Sequence, residues 1–383
     1  MNIMKIGILA YRQYPYISAN TAIAYTVGDC MEEHEIVHIG RKQDACQNSV
    51  SEYNEKKIRF LNTDVKNAKN SRLKNIVRKV LGDEIFLLQD AKSLKKIVRE
   101  EKIEALICVI APNDNASMIL GAHLDIPVYV YQLDPFYNSF DQVDETLKRK
   151  FIKLLSKTKH LFTTDLLFEE YKKDAEVSEY MSQISVVQFP KLIPQKTSQC
   201  CGPNRNRVTL LYAGTLYHNI RNPKILVDLK TCLPESFDLV FCGSCDNPKD
   251  MEMLKEAGII CKGYCSQEVL SKEVENASIL INIGNLVRNQ LGSKLIDYIA
   301  TGKPILNITQ FEECPTIKVL QTYDLKFNIS VTELQDEQHA NEMRVYLKSV
   351  LGKTIPFSEV QEMYTEYTPQ FVAKTIIEQI SKR

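Results

Sequence analysis

The chain has no tryptophan and no excess charge of either sign: 48 lysines and arginines stand against 48 aspartates and glutamates in 383 residues. The missing indole excludes nothing. The missing net charge removes the global field on which nucleic-acid binding relies, and no nucleic-acid partner is expected. No apolar run approaches the ~18–20 residues of a membrane span, and Met1–Ala10 lacks the layout of a signal peptide. Export is therefore not expected, and the 11 cysteines, an odd number, read as reduced thiols of a cytoplasmic protein. The first strand is followed by no G-x-G-x-x-G, which counts against a dehydrogenase. Neither H-E-x-x-H spacing nor a Ser-His-Asp order is present.

What is there is a globular composition, 44% hydrophobic and 25% charged, in a chain long enough for two domains. Lys5–Ala10 reads as a strand, Tyr11–Ser18 as a tyrosine-rich loop, Ala19–Glu33 as a helix and Glu35–Ile39 as a second strand. That order opens a doubly wound α/β domain, whose ligand loops follow the strand C-termini. Glu104–Ala111, Pro127–Gln132, Lys159–Thr163 and Ile184–Gln188 supply further strands. Pro190–Arg207 is polar and proline-containing without periodicity, as expected of a linker. Strand and helix patterns then alternate again from Val208 to Ile308, predicting a second parallel sheet. Pro369–Ser381 closes the chain as a helix. The expected domains are 1–190, a linker at 191–207, a second domain at 208–365 and a terminal helix at 366–383 that crosses back to the first. Two such domains predict a ligand cleft between them.

Two segments are basic and amphipathic. Lys66–Lys79 carries Lys66, Lys69, Arg72, Lys74, Arg78 and Lys79 with no acid. Leu147–His160 places Leu147, Phe151, Leu154 and Leu155 on one face among lysines. Both are candidates for peripheral contact with an anionic membrane at its inner face. A helix packed on a sheet with a solvated basic face is the plainer reading.

The chain is organised around Asn282–Pro304, NIGNLVRNQLGSKLIDYIATGKP. A strand ends, a polar loop follows, and a short helix begins near Gly292 and Ser293 and stops at Gly302 and Pro304. A helix start can hold a phosphate, Lys294 adds a positive charge, and Asp297 can accept hydrogen bonds from sugar hydroxyls. The same features also suit an ordinary unit of a parallel sheet.

GSKLIDYIATGKPIL resembles the P-S-K-L-F-E-Y-M-A-S-G-K-P-V-I segment of GT-B glycosyltransferases of the family-4 type. The resemblance spans most of Val208–Ile308 and implies two Rossmann-like, doubly wound domains facing a central cleft. In that family the acidic residue of the helix binds the donor ribose and the helix start faces the diphosphate. These roles fall here on Asp297, and on Gly292, Ser293 and Lys294. LLYAGTLYHNIRNPKILVDL is similar to the family's first C-domain unit, so Gly214, Thr215 and Arg221 are expected at the donor phosphates. IICKGYCSQEVL resembles the base-binding segment, which makes Gly263 and Tyr264 candidates for the base. YVYQLDPFYN is similar to a strand end in the polysaccharide-synthesis members. That implies an acceptor-orienting or proton-accepting role for Asp134, with Tyr137 beside it. Tyr11, Arg12 and Tyr14 fit acceptor contacts by position.

One departure stands out. Many retaining members carry Glu-x7-Glu, and Asn289 occupies the place of the first Glu here, eight residues before Asp297. His218 follows the Gly214 turn and is a further candidate for a donor phosphate. Cys242-x2-Cys245 and Cys261-x3-Cys265 resemble a zinc site in spacing, but only one pair has the two-residue gap, and no metal is expected.

The resemblance implies a metal-independent transferase with Asp134, Arg221 and Lys294 as the catalytic set. A sugar would pass from a nucleotide-diphosphate sugar, UDP-linked before GDP-linked, to a glycan or lipid-linked acceptor in cell-surface polysaccharide synthesis. A sugar-nucleotide epimerase and a catalytically silent glycan-binding partner of the same fold remain alternatives.

Overall fold

The computed structural model describes residues 3–10, 19–41, 58–61, 84–110, 116–139, 142–195 and 207–382. Lys66–Lys79, Tyr11, Arg12 and Tyr14 lie outside them, as does most of the expected linker. The chain divides into two compact units, Met1–Pro190 with Pro369–Arg383, and Lys191–Thr368.

In the first unit the strands are β1 (Lys5–Leu9), β2 (Glu35–Arg41), β3 (Ile58–Leu61), β4 (Ala105–Ile110), β5 (Val128–Gln132), a two-strand ribbon of β6 (Asn138–Ser139) and β7 (Gln142–Val143), β8 (His160–Thr163) and β9 (Ile184–Val186). Its seven-stranded sheet runs β3-β2-β1-β4-β5-β8-β9, all parallel. β4 is ALICVI with every residue buried, the unbroken apolar run of a strand covered on both faces. The helix at Ala19–Asp29 is shorter than expected, and Pro369–Ser381 packs against it. The expected helix over 147–160 is Glu145–Leu155; His160 already belongs to β8. Asp144 sets its start by accepting from the N–H groups of Thr146 and Leu147 at 2.9 and 3.0 Å. Phe151 and Leu155 are buried, but Lys148 is not a surface charge. Its ammonium lies 2.8 Å from Asp174 and 3.0 Å from Glu176.

The second unit contains β10 (Val208–Ala213), β11 (Phe237–Cys242), β12 (Ile260–Gly263), β13 (Ile279–Ile283), β14 (Ile305–Thr309) and β15 (Lys326–Ser330), in the order β12-β11-β10-β13-β14-β15. Leu210, Leu226, Leu239, Phe241, Ile281 and Leu306 are at the centre of its core. The three strands beyond the reversal carry an amide ladder, buried at Asn282 and Asn307 and exposed at Asn328. Asn282 donates to Asn307 at 2.7 Å and Asn307 to Asn328 at 2.8 Å, each pair in direct register. Paired amides at these positions favour one register, most strongly between the buried, apolar β13 and β14.

The Gly-Lys-Pro exit has a structural reason. Gly302 has φ +68°, and a Cβ there would lie 1.9 Å from the Ile355 carbonyl oxygen. Lys303 turns inward and donates to the carbonyls of Val274, Glu275 and Ala277 at 2.9, 2.6 and 2.6 Å, closing the C-terminal end of the Gln267–Asn276 helix.

Candidate functional site

In an open parallel sheet, ligands bind beyond the strand C-termini where the strand order reverses. In the second unit that place lies between β10 and β13. The loops leaving these two strands carry most of the residues expected from the sequence.

Gly214 follows β10, and Gly243 follows β11 so closely that a Cβ on Gly243 would lie 1.8 Å from the Gly214 carbonyl oxygen. Thr215 is half-buried beside Gly214. The loop then folds back, with Arg221 N–H donating to Tyr217 O at 2.7 Å. Arg221 is half-buried, its Nη1 donates to the Tyr212 hydroxyl at 3.3 Å, and its buried Nε has no hydrogen-bond partner among the described residues. Burial pushes the Tyr212 hydroxyl above the ordinary phenol value, and the Arg221 charge opposes that shift. An arginine fixed on one edge with an unsatisfied N–H is prepared to take an anion.

The second loop is tied to the first, since Leu286 N–H donates to Ile220 O at 3.0 Å and the Gln310 amide bridges the carbonyls of Ile220 and Gly284. Asn289, Gly292, Ser293 and Lys294 follow, all half-buried. The helix is Lys294–Ile299, and Tyr298 on it exchanges hydrogen bonds with the Ala213 backbone, accepting from N–H at 2.9 Å and donating to the carbonyl at 3.3 Å. Tyr298 thereby holds this helix against the end of β10, and Gly214, Arg221 and the Gly292–Asp297 segment share one corner of the sheet.

Two expectations change here. The helix has six residues and begins after Ser293, which makes no side-chain cap. The N–H groups of Leu295 and Ile296 already donate to Gly292 and Ser293. So short a helix with occupied first donors gives little axial field, and attraction for phosphate falls on Arg221 and Lys294. The Asp297 carboxylate is also already engaged: Oδ2 lies 2.7 Å from Lys191 Nζ and 3.4 Å from Lys294 Nζ. Lys191 was not legible as a site residue, being 106 positions away with no motif around it. Asn285 was missed as well. It is buried, its amide nitrogen reaches Gln290, and its Oδ1 has no hydrogen-bond partner among the described residues.

Gly263 ends β12 with φ +69°, and its carbonyl accepts from Gly243 N–H at 2.8 Å. Tyr264, next to it, is 91% exposed, so its ring is free of packing. His218 does not point to a phosphate. Its Nε2 lies 2.7 Å from the Asp250 carboxylate, and its N–H donates to Asp246 at 3.4 Å. No three of the sulfurs of Cys242, Cys245, Cys261 and Cys265 gather as metal ligands among the described residues. Burial and the neighbouring Cys265 push the Cys242 thiol up to about 12, so it remains protonated.

In the first unit Asp134 is half-buried just past β5, where its carbonyl accepts from the Gln132 amide at 3.0 Å. Tyr137 is a correction. It is 3% exposed, its ring packs 5.5 Å from Phe151 and 5.9 Å from Tyr171, and its hydroxyl donates to Asp174. Burial, then Tyr171 and Asp174, raises that hydroxyl far above the ordinary phenol value. Tyr137 is core rather than an acceptor contact.

Two doubly wound parallel-sheet units, the second with a glycine turn and an arginine at its switch point, make the GT-B fold. No family model and no curated protein matches the sequence. Solved structures do match over nearly the whole chain. A glycosyltransferase from Rickettsia africae ESF-5 is 12% identical over 100% of both chains with a TM-score of 0.67. Anabaena HepE in complex with UDP is 11% identical over 99% of this chain and 100% of that one, with a TM-score of 0.69. Sucrose-phosphate synthase from Thermosynechococcus elongatus is 13% identical over 99% and 98%, with a TM-score of 0.66. At these identities the likeness is one of fold.

Proposed function

We propose that the chain is a glycosyltransferase that moves a sugar from a UDP-sugar to a glycan or lipid-linked acceptor in cell-surface polysaccharide synthesis. The observation that carries this reading is the corner at the β10–β13 switch point, where Tyr298 ties the Lys294–Ile299 helix to the end of β10 beside Arg221. UDP as the carrier is supported by HepE, whose structures contain UDP or UDP-glucose. WaaB, a lipopolysaccharide outer core galactosyltransferase of the same fold, supports a cell-surface acceptor.

Arg221 takes the diphosphate through its free Nε edge, and Lys294 adds a second charge. Together they stabilise the nucleotide diphosphate as it leaves, without calling on a metal ion. Gly214 and Thr215 allow the backbone to approach the phosphates. Asp297, released in part from Lys191, accepts from the ribose hydroxyls, and the Asn285 Oδ1 receives a further donor hydroxyl. Gly263 and the exposed Tyr264 ring meet the base. Asn289 meets the sugar with an amide, so the sugar's charge stabilisation there comes from hydrogen bonds alone. Asp134 orients the acceptor hydroxyl or takes its proton. Arg149, Lys150 and Lys153, exposed on the Glu145–Leu155 helix, give peripheral contact with an anionic membrane.

A thermal-shift panel of UDP, GDP, ADP and CMP tests the donor assignment. Stabilisation by UDP, lost in Arg221→Ala, supports it; a response to none of the four removes it. UDP-sugar turnover that needs an added acceptor separates a transferase from an epimerase.

A further inference from the structure

Beside the donor corner, but built from other side chains, is a cluster that the proposed reaction does not use. We propose that His218, Asp246 and Asp250 form a binding site for a divalent cation of the Mn2+ class. One imidazole nitrogen and two carboxylate oxygens lie within 4.8 Å of one another. Asp250 is 6% exposed, yet its Oδ2 receives no hydrogen bond among the described residues. His218 Nε2 faces that oxygen at 2.7 Å. A buried carboxylate oxygen without a hydrogen bond is costly, and a cation between it and the imidazole removes that cost.

The frame around the cluster is already built. Leu216 N–H donates to Ser244 O at 2.9 Å, and Asp246 N–H donates to Leu216 O at 3.1 Å. These two bonds clamp the loop carrying His218 to the loop carrying Asp246. Asp250 sits in the first turn of the Pro248–Glu256 helix, which Asn247 starts by accepting from Lys249 N–H at 3.1 Å. His218 and Asp246 are exposed, so small rotations bring their atoms to the ~2.0–2.2 Å that such ions require. Two carboxylates meet one imidazole, so the cluster is net negative even with the ring charged. Mixed nitrogen and oxygen donors select a first-row divalent ion over Ca2+. The adjacent Cys245 sulfur is not among the three ligand atoms that converge. The ion bonds the 214–222 loop to the Asp250 helix; it holds the loop that carries Arg221 and takes no part in sugar transfer.

The test is titration of Mn2+ alone into chelator-treated full-length protein, read by loss of the free-ion electron paramagnetic resonance signal. Mn2+ is chosen because thiols elsewhere in the chain would compete for Zn2+. The expected result is one tight equivalent, with Asp250→Asn and Asp246→Asn each weakening binding by about 100-fold, since even indirect partners of a metal are worth roughly 10–100-fold. Cys245→Ser should bind as the parent does. Should Asp250→Asn fail to fold, the exposed Asp246→Asn decides alone. Absence of binding by the parent at millimolar Mn2+, or undiminished binding by Asp246→Asn, overturns the proposal. Neither outcome depends on whether UDP binds.

Discussion

Replacing Lys303 by Met keeps the aliphatic stem and removes three hydrogen bonds at once. The Ala277 carbonyl is buried, whereas Val274 and Glu275 are half-buried and water can reach them in part. An unsatisfied buried polar group costs about 1–3 kcal/mol. Counting Ala277 in full and the other two in part gives a loss of about 2–4 kcal/mol for the second unit. For a unit of this size each kcal/mol moves the midpoint by about 2–4 °C, so the transition should fall by about 4–16 °C. Scanning calorimetry is the suitable assay, because a chain without tryptophan offers only tyrosine fluorescence. Lys294→Met, which loses only a 3.4 Å contact shared with Lys191, serves as the near-neutral control. A shift in Lys303→Met no larger than that of the control would refute the capping role and leave this lysine free for the donor.

Other consequences follow from single contacts. Arg221→Ala should abolish UDP stabilisation and transfer while leaving the midpoint within a few degrees, because its one side-chain hydrogen bond among the described residues is long at 3.3 Å; calorimetry and turnover together check this. Gly302→Ala should destabilise by more than the roughly 1–2 kcal/mol of a left-handed alanine, since the new Cβ meets backbone at Ile355; denaturant unfolding reads the loss. Burial opposes charge on Asp174, but the Lys148 ammonium and the N–H groups of Val177 and Glu176 outweigh it and hold the carboxyl below its ordinary value. The first unit is therefore stabilised above the unfolded carboxylate pKa, and loses that part as pH falls through the lower folded value. Asp174→Asn should flatten the acid limb of its stability profile.

The alternation of strands and helices was legible because buried parallel strands such as ALICVI and ILINI are mostly hydrocarbon between polar turns. Helix Pro369–Ser381 was legible to the residue, since Pro369 marks its start chemically. The segment between Ile308 and Pro369 carried no assigned element. There β15 alternates weakly, and Glu337–Ser349 is a polar helix recognised mainly by its Asp336 cap. At the site, Gly214, Arg221 and Asp297 could be named because their segments resemble those of GT-B glycosyltransferases; glycine and charge alone suit any parallel sheet. Lys191 and Asn285 could not, because what marks them is a distant partner in one case and a missing one in the other. Tyr137 misled for the opposite reason: an aromatic past a strand end reads the same whether it faces a ligand or the core.

The central claim is that the corner joining Gly214, Arg221 and Asp297 holds a nucleotide diphosphate. Calorimetric titration of UDP into the purified chain, repeated with Asp297→Ala, tests it most directly. The account predicts one site per chain, weakened strongly by the substitution and matched by a rise in the midpoint of about 2.7 kcal/mol equivalent at a hundredfold excess over Kd. Heat of binding that is absent, or that survives unchanged in Asp297→Ala, would contradict it.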